Sequence, residues 1–199
     1  MDFTAINKLH IKEAFSAESK FSNIEKDEDY LLELFEHSKR HTIFVHDSKE
    51  KGYSVFVTET KGIGSNRLFV GNNTNLRDIF LFHIDGVLYK KNSKCDCALL
   101  SEKEFVFIEF KTLAYNNNVL TEKDNIEKAY SQLLVTIQDF SAKLKTVGID
   151  LLQDIATRAF IVFDKTCPRN NSTRKAMRVK FLSATKGIEL SFENSADLI

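Results

Sequence analysis

The sequence predicts an α/β fold in which helices flank a mixed β-sheet. Residues 95–100 and 105–112 are rich in apolar, β-branched and aromatic side chains and are separated by a short polar turn, which is typical of an antiparallel hairpin. Residues 121–147 follow as a long amphipathic helix, with apolar positions at three- and four-residue steps. The apolar run at residues 158–164 comes next, and a strand, helix, strand series implies a parallel crossover.

Composition places the chain among globular proteins and narrows the function classes. With 199 residues, 43% hydrophobic and 28% charged, residues 1–199 are expected to form a single domain. The net charge is zero, so any surface that attracts nucleic acid must be local. Three cysteines argue against a disulfide scaffold or a structural zinc site. The chain lacks a signal-peptide pattern and an apolar run of membrane-spanning length, so we expect a cytoplasmic protein without a membrane partner.

The remaining elements are predicted from local patterns. Residues 27–40 have the apolar stripe and terminal charges of a helix. Residues 42–46 and 53–58 form a predicted N-terminal hairpin, and residues 177–182 and 187–192 form a predicted C-terminal hairpin. Within residues 79–89, the dipeptide at 85–86 is Asp-Gly, which indicates a two-residue hairpin turn.

One face of the central hairpin carries two acids and a lysine. Ser101 facing Glu104 across the turn fixes the register. In this register Asp96 lies opposite Glu109, and alternation along the strand places Lys111 on the face of Glu109. Directly opposed carboxylates repel each other unless a cation lies between them. Hard oxygen ligands suit Mg²⁺ or Mn²⁺, so the pattern predicts a divalent metal site.

The combination of Asp96 with the triplet Glu109-Phe110-Lys111 resembles the signature of the PD-(D/E)xK nuclease superfamily, which includes restriction endonucleases and RecB-type exonucleases. The resemblance covers roughly residues 80–165, and Cys95 stands where many members have proline. It implies a restriction-endonuclease-like core of element order αβββαβ, here with an N-terminal β-hairpin insertion and a C-terminal hairpin.

The resemblance also assigns roles. Asp96, Glu109 and the backbone carbonyl of Phe110 would hold Mg²⁺ or Mn²⁺, and Lys111 would orient the attacking water. Gln132 resembles the glutamine that RecB-like nucleases carry on the helix after the lysine strand, although position 136 is threonine where they have tyrosine. A polar residue at a helix edge is an equally good explanation of Gln132.

Three further acids are candidates for the metal site. Relatives often take one acid from an N-terminal helix, for which Glu33 is the candidate and Glu36 the second choice. Taken alone, each is more simply explained as a solvated helix-face residue. Asp85, expected in a turn, is the substitute for Asp96 if the register differs.

A basic stretch without acids follows the last predicted core strand. In a neutral protein it is either a local patch for phosphate backbones or an ordinary solvated charge run. Its members are Lys165, Arg169, Arg174, Lys175, Arg178 and Lys180.

The function expected from these observations is that of a Mg²⁺-dependent nuclease, a phosphodiester hydrolase acting on nucleic acid and by resemblance on DNA. A homodimer that cuts both strands is left open. One alternative is a non-catalytic protein of nuclease fold that binds nucleic acid or a protein partner. Another is an interaction protein in which Asp96 to Lys111 is only a salt-bridged hairpin.

Overall fold

The structure is a computed structural model that describes residues 10–15, 33–58, 67–89, 93–112, 119–164 and 171–199. Its elements in chain order are α1 (Ile11–Ala14), β1 (Phe35–Ser38), β2 (Thr42–Ser48), β3 (Tyr53–Val57), β4 (Leu68–Asn72), β5 (Ile79–His83), β6 (Cys97–Leu100), β7 (Glu104–Lys111), α2 (Val119–Thr146), β8 (Ala156–Phe163), α3 (Asn171–Ala184), β9 (Glu189–Ser191) and β10 (Ser195–Asp197).

The described strands form two sheets, which makes the fold α/β as predicted. A six-stranded sheet has the order β1-β5-β6-β7-β8-β9 and a four-stranded sheet has the order β10-β4-β2-β3. The six-stranded sheet is mixed, because β1, β5, β6 and β7 pair antiparallel whereas β7, β8 and β9 pair parallel. The strand, helix, strand series expected after the central hairpin is therefore present, with α2 joining two parallel neighbours.

The six-stranded sheet is buried on both faces. Helices cover one face, and the four-stranded sheet covers the other. The core on the helix side includes Ala98, Phe107, Leu133 and Phe140. The core between the sheets includes Val45, Phe69, Leu99 and Ile108. Alternate residues of β6 and β7 thus supply two different cores, as the two-residue period of a strand requires.

The central hairpin has the register that the sequence predicts. Cys97 pairs with Ile108 and Leu100 pairs with Phe105. The Ser101 N–H donates to the Glu104 carbonyl at 3.0 Å across the turn. Continuing this register by one residue beyond β6 places residue 96 opposite residue 109.

The long helix α2 is held over β7 by its apolar face. Phe140 packs edge-on against Phe105 and Phe107, with ring centroids 6.1 and 5.3 Å apart. Leu133 and Leu144 are fully buried in the same layer. Because residues three to four apart share a helix face, this packing also directs Gln132 toward the sheet.

The N-terminal hairpin prediction is confirmed, with one extension. β2 and β3 pair antiparallel from Phe44↔Val57 to Ser48↔Tyr53. β2 runs to Ser48, so Asp47 lies within the strand and not in the connecting loop. This hairpin belongs to the four-stranded sheet.

The helix predicted over residues 27–40 is wrong from residue 35 onward, and residues 27–32 lie outside the described part of the chain. Residues 35–38 are the edge strand β1, in which Phe35 pairs with Phe82. Pairing with β5 satisfies backbone groups of this segment and buries Phe35, which outweighs the helical pattern of the sequence.

The predicted C-terminal hairpin is also wrong. Residues 171–184 form α3, while β9 pairs with β8 and β10 joins the other sheet beside β4. Met177 and Phe181 are four residues apart and both are buried in the helix-side core. The four-residue spacing of these two side chains is typical of a helix, although residues 177–182 also resemble a short strand.

The two-residue hairpin turn predicted at residues 85–86 does not form. β5 ends at His83, and residues 84–89 make a turn whose Ile84 and Asp85 N–H groups donate to the Asp96 carbonyl at 3.3 and 3.1 Å. Gly86 has the positive φ of +80° that a turn glycine adopts.

Among the described helices, none is long and apolar enough to cross a membrane.

Candidate active site

The structure brings Asp96, Glu109, Lys111 and Gln132 together between the six-stranded sheet and α2. Asp96 immediately precedes β6, while Glu109 and Lys111 lie at the end of β7. They share the strand face of Phe107, which packs in the helix-side core. Gln132 approaches this face from α2. The convergence of the two acids, the lysine and the glutamine is the arrangement that the sequence predicts.

Asp96 is fixed by the strand that carries the other acid. Its Oδ2 accepts a hydrogen bond from the Phe110 N–H at 2.5 Å. Burial, followed by the charges of Glu109 and Asp47, raises the pKa of Asp96 well above its ordinary value of 3.8. This carboxylate therefore lies in a place where a negative charge is costly without a compensating cation.

Glu109 is a buried carboxylate with one oxygen in use. Its exposed fraction is 1%. Oε1 accepts a hydrogen bond from the Lys111 ammonium, whereas Oε2 has no hydrogen-bond partner in the described part of the chain. Burial raises the pKa of Glu109 to about 7, although Lys111 acts in the opposite direction. A buried, unpartnered carboxylate oxygen is a natural position for a hard cation.

Lys111 is held by a short chain of hydrogen bonds. Its Nζ donates to the Gln132 Oε1 at 3.0 Å, and the Gln132 Nε2 donates to the Lys94 carbonyl at 3.0 Å. The glutamine amide is thus oriented by the backbone two residues before Asp96. Gln132 is therefore more than a polar residue at a helix edge, because it links the lysine to the segment that carries the first acid.

Two further α2 residues hold the same segment, and the sequence did not reveal them. Thr136 Oγ1 accepts the Cys95 N–H at 2.8 Å and donates to the Gln132 carbonyl at 2.7 Å. Asp139 Oδ2 lies 3.4 Å from the Lys94 ammonium. Thr136 therefore contacts the backbone of the residue next to Asp96.

The acids proposed from the N-terminal segment do not complete a metal site. Glu33 is exposed, and its backbone carbonyl lies 3.1 Å from the His83 Nδ1. Glu36 lies on β1, where its Oε2 accepts the Phe56 N–H at 2.9 Å and its Oε1 lies 3.4 Å from the His83 Nε2. Among the described residues, no three His, Cys, Asp or Glu side chains are grouped closely enough to hold a metal ion by themselves.

Two other acids with raised pKa values are Asp85, whose backbone contacts Asp96, and Asp47, which lies on a strand of the other sheet. The Asp85 N–H donates to the Asp96 carbonyl at 3.1 Å, and burial raises the Asp85 pKa, with a further contribution from Asp47. Asp47 continues the alternation of Ile43 and Val45 on the face of β2 that lines the core between the sheets, and burial raises its pKa.

The basic stretch is divided by the structure. Arg174 is buried, and its Nε and Nη2 donate to the Glu122 Oε1 at 3.1 and 2.9 Å. Its guanidinium therefore supports the fold and is not available to bind phosphate. The exposed members on α3 are Lys175, Arg178 and Lys180. Lys165 and Arg169 lie outside the described residues.

No protein-family model, curated protein or solved structure matches this chain. The site itself combines the half-buried Asp96 carboxylate, the buried Glu109 carboxylate with one unpartnered oxygen, and a positioned ammonium. Such a set can bind a divalent cation and hold a proton donor or acceptor beside it.

Proposed function

We propose that this protein is a metal-dependent phosphodiester hydrolase of the PD-(D/E)xK type, acting on nucleic acid and most naturally on DNA. The observation that carries the proposal is the buried Glu109 Oε2, which has no hydrogen-bond partner among the described residues and lies on the hairpin face shared with Asp96 and Lys111. The fold also supports this proposal. Strands β5, β6 and β7 are neighbours, and α2 connects β7 to the parallel strand β8, which is the order that the resemblance implies.

The donor set fits Mg²⁺ or Mn²⁺. Asp96 and Glu109 would supply carboxylate oxygens, and the Phe110 carbonyl lies between Glu109 and Lys111 on the same strand. Both cations prefer such oxygen ligands and retain waters, so two carboxylates suffice. The chemistry that such a cation supplies is a lowered pKa of bound water and neutralisation of charge on the phosphate.

The protein's own groups position the reacting parts. The Lys111 ammonium is fixed by Glu109 and Gln132, so it can orient a water and offset the negative charge of a phosphate. The Phe110 N–H fixes one oxygen of Asp96. The exposed Arg178 and the neighbouring basic residues of α3 would contact phosphate backbones without reading sequence.

The test is a cleavage assay with linear and circular DNA and with RNA, in Mg²⁺, Mn²⁺ or EDTA. We expect cleavage with either metal and none in EDTA. Asp96→Asn and Lys111→Met should each reduce the rate about a hundredfold or more. Lys128→Met, at an exposed position of α2, is the matched control and should leave the rate unchanged. Parent-like cleavage by Lys111→Met would remove the lysine from the mechanism.

The second candidate is a non-catalytic protein that binds nucleic acid or a protein partner. The observation that favours it is the ion pair of Lys111 with Glu109, which already neutralises one acid of the hairpin. Nucleic-acid binding that persists in EDTA, without cleavage in any metal, would support this candidate over the hydrolase. Absence of any Mn²⁺ binding in calorimetry would favour a salt-bridged structural hairpin.

A further inference from the structure

Strand β9 is an open edge of the six-stranded sheet. It is the last strand in the order β1-β5-β6-β7-β8-β9, so it pairs with β8 on one side and with no other described strand on the other. The unpaired side of an edge strand carries backbone N–H and C=O groups with which a strand of another chain can pair. Residues Glu189–Ser191 are therefore able to extend the sheet by one more strand.

A groove of about 550 Å³ lies along this edge, and residues of β8, β9, β10 and α3 line it. Helix α3 contributes two apolar side chains, Val179, which is 66% exposed, and Leu182, which is 44% exposed. These residues are three positions apart, so they lie on the same face of the helix. Adjacent apolar side chains beside an unpaired strand are typical of a surface that contacts another protein.

The groove carries charges of both signs. Arg178, Glu189 and Glu193 line it, and all three are exposed. The guanidinium carbon of Arg178 lies 5.6 Å from the Phe192 ring centroid, so this cation is close to the last residue of β9, whereas Glu189 is the first. A groove with a cation near one end of the strand and an acid at the other end suits a protein surface that carries the same charges in the reverse order.

A second copy of this chain has the charges in that reverse order. In an antiparallel pair of two β9 strands centred on Leu190, Glu189 of one copy lies opposite Ser191 of the other. Arg178 lies near this end of β9, so the two-fold axis brings it toward Glu189 of the second copy, twice in each dimer. The same axis is perpendicular to the joined sheet, so both α3 helices lie on one face of it and their apolar side chains approach each other.

We propose that this protein forms a homodimer through β9 and α3, in which the two six-stranded sheets become continuous. Val179 and Leu182 lie at the centre of the helix contact, and Arg178 pairs with Glu189 of the other copy. This inference goes beyond the proposed function and does not depend on it, since the groove and the strand edge are separate from Asp96 and its neighbours.

The test is sedimentation velocity of the purified protein over a series of micromolar concentrations. It is made without nucleic acid, because Arg178 is also a candidate contact for phosphate. We expect a dimer whose fraction rises with concentration. Val179→Asp should weaken dimerisation about tenfold or more, because symmetry places an unpaired charge in the contact from each copy. Val135→Asp, at a 47% exposed position of α2, is the matched control and should leave dimerisation unchanged.

A charge exchange tests the orientation of the two copies. Arg178→Glu places an acid against Glu189 of the other copy and should weaken the dimer, since like charges across an interface repel. Adding Glu189→Arg to that variant restores the attraction and should recover most of the affinity, which a merely structural role of Arg178 would not produce.

Three results would overturn this inference. A parent protein that stays monomeric at every concentration would leave the groove to a partner of another kind. A dimer that forms only after DNA is added would be held together by the nucleic acid. A dimer that neither Val179→Asp nor Arg178→Glu weakens would have its interface elsewhere. None of these results bears on the hydrolase proposal, which the cleavage assay tests separately.

Discussion

Glu109→Gln is expected to stabilise the folded protein at neutral pH while removing the activity proposed for it. Glu109 is 1% exposed, and burial raises its pKa from 4.5 to about 7 despite Lys111. Because the folded state binds this proton more tightly than the unfolded chain, protonated Glu109 contributes its full stability below pH 4.5. That contribution is lost as the pH rises toward 7.

The size of the effect can be worked out from the two pKa values. Their difference corresponds to about 3 kcal/mol, at about 1.4 kcal/mol for each pH unit. Glutamine has the shape of the protonated side chain and does not ionise, so the variant does not lose this stability as the pH rises. The attraction of Lys111 for the ionised carboxylate is already contained in the raised pKa, so it needs no separate correction. We therefore expect the variant to exceed the parent by about 3 kcal/mol above pH 7.

Urea unfolding, followed by far-ultraviolet circular dichroism in EDTA at a series of pH values from 4.5 to 8.5, measures this difference. The two proteins should have similar free energies of unfolding at the acidic end, and the gap should open toward pH 7 and then stay constant. Glu127→Gln, at a half-exposed acid of α2, should show no such gap. A gap of the same size at every pH would refute the argument that a buried, raised-pKa carboxylate destabilises the fold.

The remaining predictions concern residues around the site. Thr136→Val leaves the buried Cys95 N–H without its acceptor, so it should lower the free energy of unfolding by about 1–3 kcal/mol. It should also lower the rate of cleavage, and an unchanged rate would limit Thr136 to a structural role. Arg174→Met removes the buried partner of Glu122 and should cost about 3 kcal/mol in urea unfolding. Arg178→Met removes an exposed cation that lies 5.6 Å from the Phe192 ring centroid, so it should lower the free energy of unfolding by no more than about 1 kcal/mol. It should also weaken DNA binding and reduce the salt dependence of that binding, measured by fluorescence anisotropy. An unaltered salt slope would place the DNA elsewhere.

The central hairpin was predictable because local information determines it. A polar turn between two strongly β-forming runs leaves few registers, and the register alone brings Asp96 opposite Glu109. The long helix was equally predictable, since its apolar period extends over the whole of α2. Three of the four residues predicted to be catalytic could therefore be placed on one hairpin face, and Gln132 could be placed on the helix above it.

The wrong predictions for residues 35–38 and for the C-terminal segment have a different physical origin. β1 is a strand because β5 offers it a partner, and no local pattern in residues 35–38 reports that partner. The packing of the four-stranded sheet on the six-stranded sheet brings residues such as Val45 and Ile108, far apart in the sequence, into one core, and the sequence contains no local signal for that packing. The C-terminal error was one of period, since Met177 and Phe181 repeat at a helical and not a strand spacing.

The spacing of contacts along α2 has a consequence for how this chain can vary. Gln132, Thr136 and Asp139 occupy successive turns and hold Lys94 and Cys95 from one side. Each residue inserted into a helix rotates all later side chains about the helix axis by about 100°. A single-residue insertion just before position 132 would thus swing all three side chains off the segment at once. Natural length variation should accordingly be confined to the ends of this helix, where the rotational phase of these contacts is preserved.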